Sequence, residues 1–153
     1  MSNFVQRGGL WVLAQGVLTL AVIAAGFFWP GERRPIVLTV GAIVFLLAAV
    51  VCGGLGAVSL GRNLTPFPRP SEPGRLVRTG IYGLIRHPLY TAVMCGSFGW
   101  ALLRASWPGL LFAVAMIPFF DAKARREERW LRREFPEYQE YAQRVRRFLP
   151  WLY

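Results

Sequence analysis

The stretch IVLTVGAIVFLLAAVVCGGLGAVSL fills residues 36–60 and contains no charged side chain. A second uncharged stretch, LWVLAQGVLTLAVIAAGFFW, fills residues 10–29. A helix rises about 1.5 Å per residue, so each stretch is long enough to cross a hydrocarbon core of about 30 Å. We therefore predict two transmembrane helices and interpret residues 1–60 as a membrane scaffold.

Two shorter apolar runs follow, at residues 89–103 and 107–120, with Arg104-Ala105-Ser106 between them. Each run is short for a full crossing, and we predict a helical hairpin whose turn is Trp107-Pro108-Gly109. The predicted fold class is an all-α polytopic membrane protein with four transmembrane helices, of which the last two form this short hairpin. Amphipathic cytoplasmic helices are expected to follow in the C-terminal part.

Small residues recur along the second predicted helix, where every fourth position from Ala49 to Gly61 is alanine or glycine. Such a stripe lets another helix approach closely. The sequence does not tell whether the stripe packs within the chain or between chains, so it predicts no oligomeric state.

Basic residues lie mainly on one side of the four-helix topology. One side holds the connection between the first and second helices and the connection between the third and fourth. It carries Arg33, Arg34 and Arg104. The opposite side carries fifteen basic residues: Arg7, Arg62, Arg69, Arg75, Arg78, Arg86, Lys123, Arg125, Arg126, Arg129, Arg132, Arg133, Arg144, Arg146 and Arg147. Basic residues favour the cytoplasmic side, so we expect both termini to be cytoplasmic. The same residues suit anionic lipid heads, and no recognition motif supports a nucleic-acid partner.

Composition excludes several classes of function. The chain is 54% hydrophobic with a net charge of +10, and it has one histidine and two cysteines, too few ligands for a usual zinc site. The first two predicted helices contain no acid or histidine that would mark an ion pathway. The chain also lacks the Gly-rich loop and the strand–helix alternation of a soluble nucleotide-binding domain. We therefore predict no metal site and no ion transport.

The first motif-bearing stretch is LVRTGIYGLIRHPLY, residues 76–90. Pro88 suits the first turn of the third helix, where its missing N–H is not needed. The free N–H groups of Leu89 and Tyr90, beside Arg86 and His87, predict a positive pocket for a carboxylate or a phosphate. By itself, a histidine before a helix is more often a cap or a lipid contact than a functional group.

The second stretch is DAKARREERWLRREFP, residues 121–136. Lys123 and Glu127 are four residues apart and lie on one face of a helix. Pro136 ends that helix and can open the next one, whose apolar stripe contains Tyr138, Tyr141, Ala142 and Val145. By periodicity alone, this pattern is that of an amphipathic helix on the bilayer surface.

Together the two stretches resemble the isoprenylcysteine carboxyl methyltransferase and phospholipid methyltransferase family of integral membrane enzymes. The resemblance runs from about residue 61 to the C-terminus. Its motifs are Gly80-x-Tyr82-x3-Arg86-His87-Pro88-x-Tyr90, then Glu127-Glu128-x2-Leu131-x3-Phe135-x2-Tyr138-x2-Tyr141, and a closing Arg147-Phe148-Leu149-Pro150.

The resemblance implies a methyltransferase that uses S-adenosylmethionine, with S-adenosylhomocysteine as the product. Residues 61–153 would form the methyltransferase region, with a cytoplasmic loop at 61–88, a helical hairpin at 88–121 and C-terminal helices at 122–148. Arg86 and Lys123 would orient the methyl acceptor. The implied cofactor-binding residues are Leu76, Val77, Tyr82, His87, Pro88, Leu89, Tyr90 and Glu127.

The chain departs from the family pattern at two positions. Ala92 stands where the family motif commonly has glycine, and Lys123 stands where isoprenylcysteine enzymes have arginine. Lysine keeps the charge but loses the bidentate geometry. We expect a lipophilic or lipidated acceptor from the bilayer, either an isoprenylcysteine-type carboxylate or a phospholipid-type amine; for an amine, Glu128 is the candidate base. The alternative is a non-catalytic membrane scaffold or interaction protein of the same fold.

Overall fold

The structure is a computed structural model, and it describes residues 8–33, 35–61, 64 and 76–150. Five α-helices occupy these ranges: α1 (Gly9–Phe28), α2 (Ile36–Leu60), α3 (Pro88–Leu103), α4 (Trp107–Glu134) and α5 (Tyr138–Arg144), with a 3₁₀ turn at Gly80–Gly83. The described ranges contain no β-strand. Part of the predicted loop at 61–88 lies outside them, as do five residues of the predicted charge asymmetry: Arg7, Arg34, Arg62, Arg69 and Arg75.

Three helices, α1, α2 and α4, are long and apolar enough to cross a membrane. The fourth apolar helix, α3, has sixteen residues and a length of about 24 Å. Helix α3 packs most extensively against α2 and also contacts α1 and α4. The prediction of an all-helical fold is therefore confirmed for the described residues, with three helices of membrane-spanning length and a shorter one among them.

The connections between helices meet at two opposite ends of the bundle. At one end, the backbone N–H of Gly31, after α1, donates to the carbonyl of Arg104, after α3, at 3.0 Å. At the other end, Ile85, before α3, pairs with Arg146, after α5, in a single parallel bridge. Helix α3 therefore extends between the two ends, because its first and last residues take part in different connections.

The predicted turn of the hairpin is wrong. Trp107-Pro108-Gly109 is the first turn of α4, and the chain reverses at Arg104-Ala105-Ser106. The Ser106 hydroxyl caps α4 by accepting the N–H of Gly109 at 3.3 Å, and Ala105 takes a left-handed φ of 50°. The serine cap, rather than the Pro-Gly pair, sets the start of the helix.

Helix α4 is also longer than the two segments predicted for it. It runs without a break from Trp107 to Glu134, so no new helix begins at residue 122. The apolar run at 107–120 and the charged stretch beyond it therefore form one continuous helix. Lys123 and Glu127 are held directly by a helix that is anchored in the membrane.

The small-residue stripe of α2 faces α3. A methyl group built on Gly53 would lie 3.4 Å from the Cβ of Ala92, and one built on Gly96 would lie 3.7 Å from the Cβ of Ala49. The stripe therefore serves packing within the chain at these positions. Ala92, the departure from the family motif, points at Gly53, which leaves room for its methyl group.

The hydrophobic core joins the membrane helices to the closing segment, which we define as residues 145–150. Phe148 of that segment is buried and belongs to one cluster with side chains from α1, α3 and α4. The buried members of this core are Val22, Met94, Met116, Phe120, Ala124 and Phe148, and Tyr90 packs against them. The closing segment thus lies beside the start of α3, where the first motif is found.

Candidate active site

The Arg86-His87-Pro88 motif is held in place by its backbone. The N–H groups of Arg86 and His87 donate to the carbonyls of Arg146 and Arg147 at 2.8 and 3.1 Å. Pro88 opens α3, and His87 is the residue that precedes the helix. The first motif is therefore fixed between a helix start and the closing segment.

The two glutamates of α4 meet the first motif through different side chains. The Tyr90 hydroxyl donates to Oε2 of Glu127 at 2.5 Å. His87 Nε2 lies 3.1 Å from Oε1 of Glu128, in a buried hydrogen bond. These contacts join residues 37 and 41 positions apart, so the structure brings the two motifs together.

Glu128 is enclosed by cations. Arg147 donates to both carboxylate oxygens of Glu128, from Nε at 2.9 Å and from Nη2 at 3.0 Å. Nη2 of Arg86 lies 3.4 Å from Oε1 of Glu128. Only 3% of the Glu128 side chain is exposed. The expectation that Glu128 serves as a base for an amine acceptor is therefore not supported, because its oxygens are committed to these partners and to His87.

Glu127 has a different environment. Its side chain is 23% exposed, and its Oε2 lies 3.9 Å from Nδ1 of His87. The rings of His87 and Tyr90 stack beside it, with centroids 5.1 Å apart. Glu127 is thus a partly open carboxylate next to aromatic faces, an arrangement that attracts a cationic group.

Lys123 lies one helical turn before Glu127 and is 1% exposed. Its ammonium donates to Oε1 of Gln15 in α1 and sits 4.8 Å from the centre of the Tyr90 ring. Lys123 therefore borders the Tyr90–Glu127 pair. Arg86, the other predicted acceptor-orienting residue, lies with Glu128 instead.

Tyr82 is buried in the 3₁₀ turn, packed with Ile81 and Ile85, and Val77 borders the same cluster. The backbone carbonyl of Tyr82 accepts a hydrogen bond from the Tyr141 hydroxyl at 2.6 Å. Burial, reinforced by the nearby Glu127, raises the pKa of the Tyr82 hydroxyl. This hydroxyl therefore stays protonated at physiological pH and can act as a donor.

The remaining predicted cofactor residues are placed less directly. The side chains of Pro88 and Leu89 face Gly56 of α2, where an added methyl group would lie 3.3 and 3.0 Å from them. Leu76 is half-buried at the start of the described segment. Contact of Pro88 or Leu89 with a ligand would have to use their backbone, since their side chains pack between helices.

The prediction that the N–H groups of Leu89 and Tyr90 are both free at the start of α3 is wrong for Tyr90. The Tyr90 N–H donates to the carbonyl of His87 at 3.1 Å. This carbonyl also accepts from the backbone N–H of Thr91 at 3.1 Å and from its hydroxyl at 3.2 Å. The Tyr90 N–H is therefore not free to bind a ligand, because the carbonyl of His87 already accepts it within the first turn of α3.

Sequence analysis missed the roles of Arg147 and Asp121. Nη1 of Arg147 donates to Oδ1 of Asp121 at 2.6 Å, so one guanidinium joins two acids of α4, Asp121 and Glu128. The closing Arg-Phe-Leu-Pro motif was the available signal for Arg147. Asp121 had no such signal, because its partner is 26 positions away along the chain.

Several known proteins are similar to this chain. The nickel-cobalt-cadmium resistance protein NccN of Alcaligenes xylosoxydans xylosoxydans is 30% identical over 148 residues, which cover 95% of this chain and 65% of NccN. The cobalt-zinc-cadmium resistance protein CzcN of Cupriavidus metallidurans is 30% identical over 156 residues, covering 99% and 68%. This chain thus spans about two thirds of the length of these two relatives.

A methyltransferase is similar over nearly the same region. Protein-S-isoprenylcysteine O-methyltransferase B of Arabidopsis thaliana is 27% identical over 146 residues, which cover 93% of this chain and 74% of that enzyme. A family model described as phospholipid methyltransferase matches residues 36–138, a range that contains both motif-bearing stretches, residues 76–90 and 121–136. The resemblance found in the sequence is confirmed, and this membrane protein belongs to the phospholipid methyltransferase family.

Proposed function

We propose that this protein is an integral membrane methyltransferase that transfers a methyl group from S-adenosylmethionine to a lipophilic acceptor. The observation that carries the proposal is the Tyr90–Glu127 hydrogen bond beside His87. It unites the two family motifs at one partly open carboxylate. A membrane anchor alone has no need for this combination of side chains.

The residues fit the charge of the proposed methyl donor. S-adenosylmethionine supplies a methyl group on a positively charged sulfur, and its amino group is also cationic. Glu127 offers a carboxylate that is 23% exposed, next to the stacked rings of His87 and Tyr90. A carboxylate and ring faces both attract such cations.

Lys123 is the stronger candidate for orienting an acceptor. Methyl transfer is a direct displacement that requires alignment and exclusion of water, and it needs no covalent enzyme intermediate. Lys123 lies beside the Tyr90 ring, whereas Arg86 is paired with Glu128. A carboxylate acceptor would suit Lys123, and an amine acceptor would have to arrive deprotonated.

The site is proposed to face the cytoplasm, with four crossings in all. In support, the α1–α2 and α3–α4 connections meet at one end of the bundle, and the motifs lie at the other. Basic residues concentrate on the motif side, which favours the cytoplasm and contact with anionic lipid heads. The acceptor is expected to enter from the bilayer.

A second candidate is a non-catalytic membrane protein of the same fold. The similarity to two proteins that are named for metal resistance supports this second candidate. Their names describe resistance and state no enzyme activity.

Transfer of labelled methyl groups distinguishes the two functions. Membranes containing the protein are incubated with S-adenosylmethionine labelled in its methyl group, and the lipid-extractable label is counted. Enzyme activity predicts label that depends on the protein and falls at least about tenfold in Glu127→Gln. Label equal to that of membranes without the protein favours the non-catalytic function.

A further inference from the structure

Arg147 connects two acidic side chains of α4, one of which contacts the first motif. Its Nε and Nη2 bind the two oxygens of Glu128, and its Nη1 binds Asp121. The Arg147 backbone carbonyl also accepts the N–H of His87 at 3.1 Å. One residue of the closing segment therefore contacts His87 through its backbone and Glu128 through its side chain.

Glu128 in turn determines how the His87 ring is presented. A carboxylate can only accept, so the 3.1 Å contact places a proton on Nε2 of His87. The other ring nitrogen, Nδ1, then faces Glu127 at 3.9 Å. The ring plane is parallel to that of Tyr90, whose hydroxyl binds the same Glu127 oxygen. A shift of Glu128 would therefore reach Glu127 through His87.

Bidentate binding makes Arg147 suited to this task. Two parallel hydrogen bonds fix both the position and the rotation of a carboxylate, whereas a lysine could fix only its position. Arg86 contributes a single contact to Glu128 at 3.4 Å, so it cannot replace the pair of bonds from Arg147.

We propose that Arg147 is a positioning residue of the methyl-donor site, acting through Glu128 and His87 on Glu127. This inference rests on the proposed function. Arg147 touches no reacting atom in this account, and its effect is on affinity for the donor. In this proposal, the closing Arg-Phe-Leu-Pro motif contributes its arginine to the positioning of the donor site.

Binding of S-adenosylhomocysteine to the full chain, measured by calorimetry in detergent, tests the proposal. We expect Arg147→Gln to weaken binding at least about tenfold, since charged hydrogen bonds are lost. Arg147→Lys should give an intermediate affinity, because the charge is kept and the fork is lost. Arg144→Gln is the matched control, because Arg144 is exposed and pairs with the exposed Glu140 one turn earlier in α5. This variant should bind as the wild type does.

A double-mutant cycle separates positioning from a general loss of structure. If Arg147 acts through Glu128, adding Arg147→Gln to Glu128→Gln should change affinity by less than about twofold. Independent effects that multiply would overturn the proposal. Should Arg147→Gln fail to fold, the cycle is run with Arg147→Lys, which keeps the positive charge.

The outcomes distinguish this inference from the proposed function. If folded wild-type protein does not bind S-adenosylhomocysteine, both are overturned. If the wild type binds and Arg147→Gln binds equally well, only the role of Arg147 is overturned. Weakened binding with a non-additive cycle supports both.

Discussion

At the residue scale, neighbouring identical side chains have different surroundings. Glu127 and Glu128 are adjacent on α4, but one is partly open and the other is enclosed. Glu128 meets His87, Arg86 and Arg147, whereas Glu127 meets the Tyr90 hydroxyl. These surroundings favour a stabilising role for Glu128, and under the proposed function the donor binds at Glu127.

Removal of the enclosed carboxylate should destabilise the protein. Glu128→Ala leaves the guanidinium groups of Arg86 and Arg147, 10% and 15% exposed, without their shared acceptor. We expect a loss of about 3 kcal/mol in unfolding free energy, seen as a lower Tm in detergent. Glu127→Ala is the matched control. A Tm for Glu128→Ala equal to that of the control would contradict the assignment.

Lys123 should affect the acceptor and not the donor. Lys123→Met keeps the length of a buried side chain but removes its charge. We expect transfer of labelled methyl groups to lipid to fall at least about tenfold, while S-adenosylhomocysteine affinity is retained, because the Lys123 ammonium donates to Gln15 and not to Glu127. Calorimetry and extraction of label measure the two quantities. Loss of donor affinity in this variant would place Lys123 in the donor site instead.

At the element scale, the close approach of α2 and α3 depends on glycine. A methyl group on Gly99 would lie 2.7 Å from Cγ and 3.1 Å from the backbone N of Leu46. Gly99→Ala should therefore lower stability by about 1–3 kcal/mol, measured by thermal unfolding. Gly54→Ala is the control, because nothing lies within 4 Å of its added methyl. Equal Tm values for the two variants would refute this packing.

Helices were easier to predict than the contacts between them. Long runs without charge identify α1 and α2, since membrane crossing needs only length and apolarity. The start of α4 was missed because the cap by Ser106 outweighs the Pro-Gly turn signal. The Arg147–Glu128–Asp121 contacts depend on where the closing segment returns, and no local periodicity encodes that return. The proximity of Tyr90 and Glu127 could be predicted only from the family resemblance.

At the scale of the whole molecule, the proposed topology places residues 32 and 139 on opposite sides. Both Glu32 and Gln139 are exposed, so cysteines there can be labelled. In a background of Cys52→Ala and Cys95→Ala, an impermeant maleimide should label Glu32→Cys on intact cells. Gln139→Cys should react only after permeabilisation. Labelling of both from the same side would contradict the four crossings.

The measurement that tests the central claim most directly is calorimetric binding of S-adenosylhomocysteine to purified wild-type protein, Glu127→Gln and Glu140→Gln. Glu140 is exposed and paired with Arg144, so its variant controls for the loss of a carboxylate. We predict saturable binding by the wild type and by Glu140→Gln, and a loss of at least about tenfold in Glu127→Gln. No binding by folded wild-type protein, or equal binding by Glu127→Gln, would contradict the proposed site.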